Sequence, residues 1–239
     1  MRLLILGRGK TGALVAEIAS QRSHQVRVIG SAENTDARAL TAANLRATDV
    51  VVDFTTPQSV LPNIQACLGE RKNVVVGTTG WYASLPEIRE AVEQAGTGFV
   101  YASNFSVGVN IFFQIAGAAS AAIQRGYAAR IVERHHAQKK DAPSGTAVTL
   151  RDFLQPAAGK VSKDTNDMND KIEITSIREG DAVGQHVIFL DSADDSIMLV
   201  HDAKSRRGFA LGAVLAAEWI AGKRGFYEFR EILPQLDRR

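Results

Sequence analysis

The start of the chain carries the pattern that most constrains the fold. A fully apolar run, Leu3-Leu4-Ile5-Leu6, leads into a glycine-rich turn at residues 7–12, and an apolar helical segment follows at residues 13–19. An unbroken apolar run is typical of a strand buried in a parallel sheet. A G-x-G-x-x-G turn between a strand and a helix lets a pyrophosphate approach the backbone and rest on the helix N-terminus. The pattern predicts a dinucleotide-binding unit with these cofactor contacts: Gly7, Arg8, Gly9, Lys10, Thr11 and Gly12.

Further apolar runs continue this architecture. They occupy residues 26–30, 49–54, 73–76 and 98–101, and helical segments near residues 58–70 and 83–95 separate the later ones. Strands that alternate with helices build a doubly wound parallel sheet, which binds its ligand at the carboxyl ends of the strands. The expected fold class is therefore α/β, with a Rossmann-type sheet in the first part of the chain.

Glu33 is the candidate for the acid that binds a ribose of the dinucleotide. Such an acid lies roughly 20 residues beyond the glycines, after the second strand. A solvated loop carboxylate is the alternative interpretation. Asn34 follows, and no arginine stands immediately beside Glu33 to take a 2′-phosphate, although Arg38 is near. The cofactor is therefore NADH or NADPH, with a weak preference for NADH.

The pattern changes after Asn110. A helix to about Arg125 precedes a short β-branched strand at residues 129–132, and residues 156–170 lack periodicity, as in a loop. Three strand candidates follow, at residues 171–178, 183–190 and 196–201. Since no helical crossover separates these three, the second sheet should be antiparallel or mixed.

A last apolar helix at residues 209–220 completes the sequence pattern. We expect two domains. The first is a dinucleotide-binding unit from residue 1 to about 105, and the second is a substrate unit that follows it.

The densest group of reactive side chains lies at residues 133–147, ERHHAQKKDAPSGTA. Ser144 is placed as the N-cap of a helix, so the N–H groups of Gly145 and Thr146 would point towards an anionic ligand. Lys139 adds a cationic donor. His135 and His136, as neighbours on an extended segment, should face different ways, so one could donate a proton while the other holds the substrate.

Plainer interpretations of this stretch exist. Basic polar loops are common, and a pair of histidines can be a surface feature or a core contact. A metal site is disfavoured, because the single cysteine, Cys67, is distant in sequence and no His-x₃-His spacing occurs. We expect no metal.

The same stretch resembles the signature of the dihydrodipicolinate reductase family, Glu-x-His-His-x-x-Lys-x-Asp-Ala-Pro-Ser-Gly-Thr-Ala, and every fixed position is present. Residues 52–55, 76–80 and 104–110 are also similar to family motifs. Residues 178–186 resemble the family's Arg-x-Gly-x-x-x-Gly-x-His turn, for which a simple polar hairpin is the alternative. The first glycine loop departs from the pattern, since it is one residue shorter than the family's usual loop.

The resemblance implies NAD(P)H-dependent reduction of 4-hydroxy-tetrahydrodipicolinate to tetrahydrodipicolinate, with loss of water, in diaminopimelate and lysine biosynthesis. It makes His135 the proton donor and acceptor and Lys139 a further proton donor, while His136, Gly145 and Thr146 hold the substrate carboxylates. It adds these cofactor contacts: Gly77, Thr78, Thr79, Ala102, Ser103, Asn104 and Phe105. It also implies a final helix that returns to the nucleotide domain. Residues 1–105 plus 207–239 would then form the dinucleotide-binding domain, and residues 106–206 an α+β domain for substrate binding and oligomerisation. The family further implies a homotetramer assembled through the substrate-domain sheets.

The composition limits the kinds of partner that the chain can bind. The net charge is only +2 and basic residues are interleaved with acidic ones, so the sequence does not indicate binding to nucleic acid. One cysteine fits a reducing cytosol, residues 1–6 are too short for a signal peptide, and the most apolar helical segment, residues 110–123, is too short to cross a bilayer. A cytoplasmic enzyme is expected. Two alternatives stay open: another two-domain oxidoreductase with the same nucleotide unit, and a non-catalytic dinucleotide sensor.

Overall fold

The computed structural model describes residues 1–155 and 172–236, so the loop predicted at residues 156–170 lies outside the described residues. The strands are β1 Arg2–Leu6, β2 Gln25–Ile29, β3 Val50–Asp53, β4 Asn73–Val76, β5 Gly98–Tyr101, β6 Ala128–His135, β7 Glu173–Arg178, β8 Gln185–Asp191, β9 Ser196–Asp202 and β10 Gly225–Glu228. The α-helices are α1 Lys10–Gln21, α2 Ala42–Arg46, α3 Pro57–Gly69, α4 Leu85–Ala95, α5 Val107–Ile123, α6 Gly145–Leu154, α7 Arg207–Ile220 and α8 Phe229–Ile232.

The chain divides into two compact units. The first contains Met1–Val107 together with Arg206–Arg239, and the second contains Gly108–Ser205. Among the helices of the described residues, none combines the length and the apolar character needed to cross a membrane.

The first unit is built on a six-stranded parallel sheet in the order β10-β5-β4-β3-β1-β2. Both faces are covered, which explains the unbroken apolar runs. Leu3, Ile5 and Val52 pack with α1 and α7 on one face, while Leu4 and Val51 pack with α3 and α4 on the other. The predicted doubly wound sheet is confirmed.

Strand β10 was missing from the sequence prediction, which treated the chain after residue 222 as a short tail. It pairs in parallel with β5, from Gly225 beside Gly98 to Glu228 beside Tyr101. Phe226 stacks on Phe99 with ring centroids 5.1 Å apart. Four residues that begin with a glycine carry too little periodicity to predict a strand, and only the aromatic side chains hint at one.

Helix α7 belongs to the first unit, as the sequence predicted for the last helix. Its Gly212 lies against the turn that follows β5, where an added Cβ would come within 1.8 Å of the Phe105 carbonyl oxygen. Phe105 in turn packs on Phe229, with ring centroids 4.8 Å apart. The absence of a side chain at position 212 therefore sets how closely α7 approaches the end of the sheet.

The second unit contains a mixed sheet in the order β7-β6-β8-β9. Strand β6 is parallel to β7 and antiparallel to β8, and β9 is antiparallel to β8, as expected for a sheet without helical crossovers. Because β7 and β8 lie on opposite sides of β6, residues 178–186 do not form a simple hairpin. Strand β6 also runs three residues further than predicted and ends at His135.

Helices α5 and α6 supply the core of the second unit. Phe113 and Phe153 stack with ring centroids 5.5 Å apart, and Leu150 and Leu154 of α6 are fully buried with Ile131. The apolar spacing that predicted α6 thus marks its buried face.

Replacing Gly212 with Ala should destabilise the protein by about 1–3 kcal/mol, because the new methyl group meets backbone that cannot move aside cheaply. Urea unfolding measures the change. Gly69→Ala is the matched control, since Gly69 is also helical and an added Cβ there has no atom within 4 Å. That control should be neutral or stabilising by up to about 1 kcal/mol. Equal effects at the two positions would contradict this account of α7 packing.

Candidate active site

The glycine loop joins β1 to α1 at the point where the strand order reverses, between β1 and β3. Gly7 has φ +105°, and an added Cβ would meet the Phe54 carbonyl oxygen at 2.2 Å. A Cβ on Gly12 would come within 2.2 Å of the Gly7 carbonyl oxygen. Gly9, by contrast, faces open space, with no atom within 4 Å of an added Cβ. Two glycines therefore close the turn, and the middle one leaves room for a ligand beside the helix N-terminus.

Two cavities adjoin this loop. The larger, of about 470 Å³, is lined by residues 7–9, 29–32, 34, 54–56 and 59. The smaller, of about 270 Å³, is lined by residues 9–12, 54, 55, 57 and 77–79. The crevice at such a switch point is where open α/β sheets bind nucleotides, and the size and glycine lining fit a dinucleotide.

Glu33 is not among the residues that line the larger cavity, although its neighbours Ala32 and Asn34 are. Its Oε2 accepts a hydrogen bond from the Gly30 N–H at 2.8 Å and pairs with Arg8 Nη2 at 2.9 Å. The Gly30 hydrogen bond and the Arg8 charge lower the pKa of Glu33. Arg38 donates instead to the carbonyl oxygens of Ala32 and Glu33. The arginine nearest the Glu33 carboxylate therefore comes from the glycine loop, which the sequence order did not reveal.

Asp53, at the end of β3, is a buried residue of this site that the sequence analysis missed. Its Oδ1 accepts from the Thr78 and Thr55 hydroxyls, each at 2.7 Å, and its Oδ2 accepts from Asn63 Nδ2 at 2.8 Å. Burial raises the pKa of Asp53, and these hydrogen bonds oppose the rise. The carboxylate fixes Thr78, and with it the Gly-Thr-Thr turn, against the end of the neighbouring strand.

The remaining predicted cofactor contacts follow β5. Ala102 is buried and donates its N–H to the Val76 carbonyl oxygen at 3.2 Å, and Ser103 is exposed. Asn104 Oδ1 accepts from the Ser106 N–H at 2.8 Å. The Phe105 ring belongs to the core. These four residues do not line either of the two cavities, so their contact with the cofactor stays a prediction.

In the second unit, strand register assembles the reactive side chains. Glu133 on β6 lies directly opposite His186 on β8 and beside Ser176 on β7. Two residues earlier on β6, and on the same face, Ile131 forms an apolar row with Ile174 and Ile188. Two residues later, His135 lies beside Arg178. The covered face of the sheet thus changes from apolar to polar towards the end of β6.

Glu133 is the centre of this polar group, and its side chain is fully buried. Oε1 accepts from the Ser144 N–H at 3.0 Å, from Ser176 Oγ at 2.7 Å and from Arg178 Nη2 at 2.7 Å. Burial alone would raise the pKa of Glu133, but bonds from His135, Ser144, Arg178 and Ser176 outweigh it and hold the pKa well below its ordinary value. The group is therefore a buried, compensated carboxylate.

The two buried imidazoles lie on either side of Glu133 Oε2. His135 Nδ1 is 3.2 Å from this oxygen and His186 Nε2 is 3.7 Å from it, and the two rings meet edge to face at 5.2 Å. Burial, and then the charge of His135, lower the pKa of His186 to about 3. His186 is thus a neutral ring at neutral pH, and its Nε2 also contacts the Ser144 hydroxyl at 3.2 Å.

The loop between β6 and α6 is tied down at several points. The Ala137 N–H donates to the Gly180 carbonyl oxygen at 3.1 Å, and Arg178 donates to the Asp141 carbonyl oxygen. Lys139 Nζ binds Asp141 Oδ1 at 2.6 Å, and the Lys139 side chain is 23% exposed. Asp141 therefore orients Lys139 within the loop.

Helix α6 begins as the sequence predicted. Ser144 is its N-cap, and its hydroxyl accepts from the Ala147 N–H at 3.2 Å. Gly145 is exposed at the first helical position, and Thr146 follows it, half-buried. His136 is half-buried and His135 is buried, consistent with the two rings facing different ways. The structure thus gathers His135, Glu133 and the α6 N-terminus into one site.

Residues 178–186, to which the sequence analysis gave no role in the site, contribute three residues to it: Arg178, Gly184 and His186. Glu133, His135 and His186 offer ligand atoms within 4.8 Å of one another. However, Arg178 already neutralises the carboxylate, which disfavours a further cation there. The distances describe a hydrogen-bonded cluster with an imidazole at its edge.

A parallel sheet with a dinucleotide crevice, and a separate unit that holds proton donors beside a helix N-terminus, define the class of two-domain pyridine-nucleotide-dependent oxidoreductases. Comparison with known proteins specifies the class further. Residues 1–105 match the family description "Dihydrodipicolinate reductase, N-terminus", and residues 108–233 match "Dihydrodipicolinate reductase, C-terminus". The chain belongs to the dihydrodipicolinate reductase family.

Individual relatives carry the name of the same reductase family. A 4-hydroxy-tetrahydrodipicolinate reductase of Christiangramia forsetii is 37% identical over 243 residues, covering 99% of each chain. One of Neisseria meningitidis serogroup A is 38% identical over 200 residues, covering 79% of this chain and 74% of the relative. Among solved structures, the dipicolinate-bound dihydrodipicolinate reductase of Paenisporosarcina sp. TG-14 matches with a TM-score of 0.75 at 23% identity, covering 97% of this chain and 99% of that one. Family membership sets aside the other two-domain dehydrogenases and the non-catalytic sensor.

The low pKa of His186 predicts a pH dependence of stability. An unfolded histidine takes up its proton near pH 6.5, whereas folded His186 does so only near pH 3. Its contribution to stability is therefore complete above pH 6.5 and declines as the pH falls, by about 1.4 kcal/mol per pH unit. In His186→Gln the free energy of unfolding should lose that part of its slope between pH 6.5 and 4.5, measured by urea unfolding at several pH values. Parallel curves for the two proteins would contradict the prediction.

Proposed function

We propose that the chain reduces 4-hydroxy-tetrahydrodipicolinate to tetrahydrodipicolinate, with loss of water, in the route to diaminopimelate and lysine. The observation that carries the proposal is the buried Glu133–His135 pair beside a cationic loop and the N-terminus of α6. This arrangement offers a proton and neutralises carboxylates at neighbouring positions, which the reduction of a cyclic dicarboxylate requires. Family membership with full-length relatives that carry this reductase name supports it.

The residue roles follow from the surroundings of each side chain. His135 serves as proton donor and acceptor, because its ring lies at the edge of the cluster next to an ionised carboxylate. Lys139, held by Asp141, is a further proton donor at the mouth of the loop. His136, Gly145 and Thr146 bind the substrate carboxylates at the helix N-terminus, where the dipole favours negative charge.

The first unit would hold the nicotinamide cofactor. Gly7 to Gly12, with Arg8, Gly9, Lys10 and Thr11 between them, would receive the pyrophosphate, and Gly77, Thr78 and Thr79 would line the adjoining cavity. Ala102, Ser103, Asn104 and Phe105 would contribute through the turn after β5. When bound, the reduced cofactor supplies the hydride.

NADH is the weakly preferred cofactor in this proposal. Glu33, whose neighbours Ala32 and Asn34 line the larger cavity, is suited to a ribose hydroxyl and would repel a 2′-phosphate. Arg8 is 60% exposed and lies 2.9 Å from Glu33, so it could turn to a 2′-phosphate at the cost of its ion pair. The preference for NADH over NADPH is therefore small, and the ratio of kcat/KM for the two cofactors measures it.

Residues 1–105 with 207–239 would thus be the dinucleotide-binding domain, and residues 106–206 the substrate-binding and oligomerisation domain. A cytoplasmic location fits a reductase that draws on NAD(P)H and carries a single, buried cysteine, Cys67. A homotetramer assembled through the second sheet is supported by β9, which exposes Ile197, Met198 and Val200 by 40%, 61% and 49%. Monomers rarely leave such a group of apolar side chains in water.

The proposed activity is tested by condensing pyruvate with aspartate semialdehyde, using the preceding synthase, and following the oxidation of NADH and NADPH separately. The wild-type protein should oxidise the cofactor only when the condensation product is present. His135→Gln should lower kcat by about 100-fold or more, because a positioned proton donor contributes that much. The Kd for NADH, measured by fluorescence, should change little. Tight cofactor binding without turnover in the wild type would overturn the proposed reaction.

The assembly has its own test. Met198→Glu places a charge in the exposed apolar row of β9 and should shift the mass measured by sedimentation equilibrium towards smaller species. Leu211→Glu is the matched control, because Leu211 is also exposed, by 37%, but lies on α7 of the first unit. A tetramer that survives Met198→Glu would exclude β9 from the interface.

A further inference from the structure

We propose that Glu133 is the positioning residue for proton transfer by His135. Its Oε2 engages Nδ1 of the imidazole, so that Nε2 is the nitrogen that exchanges a proton with the substrate. The inference rests on the proposed function, since it concerns the proton donor assigned there. It concerns a residue that would not itself touch the substrate.

The first observation is that the two carboxylate oxygens of Glu133 have different neighbours. Oε1 is occupied by three donors, from Ser144, Ser176 and Arg178. Oε2 and His135 Nδ1 are both buried, lie 3.2 Å apart, and have no hydrogen-bond partner of good geometry within residues 1–155 and 172–236. A buried acceptor and a buried ring nitrogen left facing each other satisfy one another only if Nδ1 carries a hydrogen.

The second observation concerns the charges around the Glu133–His135 pair. The bonds to Glu133 keep it ionised in spite of its burial. An ionised carboxylate at this distance favours a hydrogen on the ring nitrogen that faces it, Nδ1. The other groups around the pair are His186 on β8, with His201 beyond it on β9, Arg178 on β7 and Lys139 in the loop. Neutral His186 adds no charge, and Arg178 is directed at the opposite oxygen, Oε1, so Glu133 is the anion nearest to the ring.

The third observation concerns the other ring nitrogen of His135, Nε2. Nε2 of His135 adjoins Gly184, where an added Cβ would come within 3.0 Å. A side chain at position 184 would occupy the space next to the nitrogen that must reach the substrate. The glycine leaves that side of the ring clear, while Nδ1 is buried against the carboxylate.

The proton balance is then simple. Nε2–H gives its proton to the substrate as hydride arrives from the reduced cofactor. The neutral ring that remains keeps its Nδ1 hydrogen towards Glu133 and presents a lone pair at Nε2, which takes a new proton from solvent.

Glu133→Gln is the central variant, because the amide keeps the size and an acceptor for the donors of Oε1. Its NH₂ group would face Nδ1 and force the hydrogen to Nε2. We expect kcat to fall at least about tenfold, KM and the Kd for NADH to stay within about twofold, and ¹⁵N-histidine NMR to show the hydrogen of the neutral His135 ring on Nε2. Ser176→Ala is the matched control, since it removes a bond to Oε1 and leaves Oε2 beside His135. It should lower the melting temperature and keep the hydrogen on Nδ1.

Hydrogen that stays on Nδ1 in Glu133→Gln, or that moves to Nε2 in Ser176→Ala as well, would overturn the proposal. A measurement on the wild-type protein keeps it testable if the variant fails to fold. In ¹⁵N-histidine NMR of the wild type, the signals of the neutral His135 ring, assigned with His135→Gln, should report hydrogen on Nδ1; hydrogen on Nε2 would overturn the proposal. Since this readout needs no turnover, failure of the proposed reaction would be seen separately, in the coupled assay of the wild type. Loss of wild-type activity on chelation would point to a metal centre and would also overturn it.

Discussion

The second unit depends on the compensation of one buried charge. A carboxylate with no exposed surface, Glu133, is tolerated because β7 and the start of α6 donate hydrogen bonds to one oxygen, while the imidazole at the end of β6 lies 3.2 Å from the other. Each bond also places something else. The Ser144 N–H fixes the helix N-terminus, Arg178 holds the loop through the Asp141 carbonyl, and Oε2 faces the imidazole of His135. The stability of the unit and the geometry of its site therefore come from the same group.

The first unit repeats this arrangement with a different electrostatic outcome. Asp53 is also buried at the end of a strand, and it also fixes a turn that lines a cavity. Its partners are hydroxyls and an amide, all uncharged, so burial prevails and its pKa is raised. Glu133 has a guanidinium and an imidazole beside it, so its pKa is lowered. Asp53 is also the more deeply desolvated of the two, so the partners and the burial together set the ionisation of each carboxylate.

Much of the fold could be read from local patterns, because the strands of a doubly wound sheet are apolar on both faces and the glycine turn has one structural context. The predicted strands of the first sheet and helix α6 with its Ser144 cap are present in the structure. Strand β10 was missed because four residues beside a glycine carry no period. The end of β6 was placed too early, since its polar residues, Glu133 to His135, read as a loop when the covering helix and the neighbouring strands are unknown.

The sequence by itself determined the class of fold, the family and the stretch that holds His135, His136 and Lys139, since these depend on residue types at fixed spacings along the chain. Tertiary structure alone decided which side chains meet them. Glu133 and His186 are 53 positions apart, and strand register makes them direct neighbours. Arg8, in the loop after β1, reaches Glu33, in the loop after the neighbouring strand β2. Burial, the ionisation of each group and the orientation of each ring depend on such contacts, because electrostatic energies are set by distance and by exclusion of water, which sequence separation does not record.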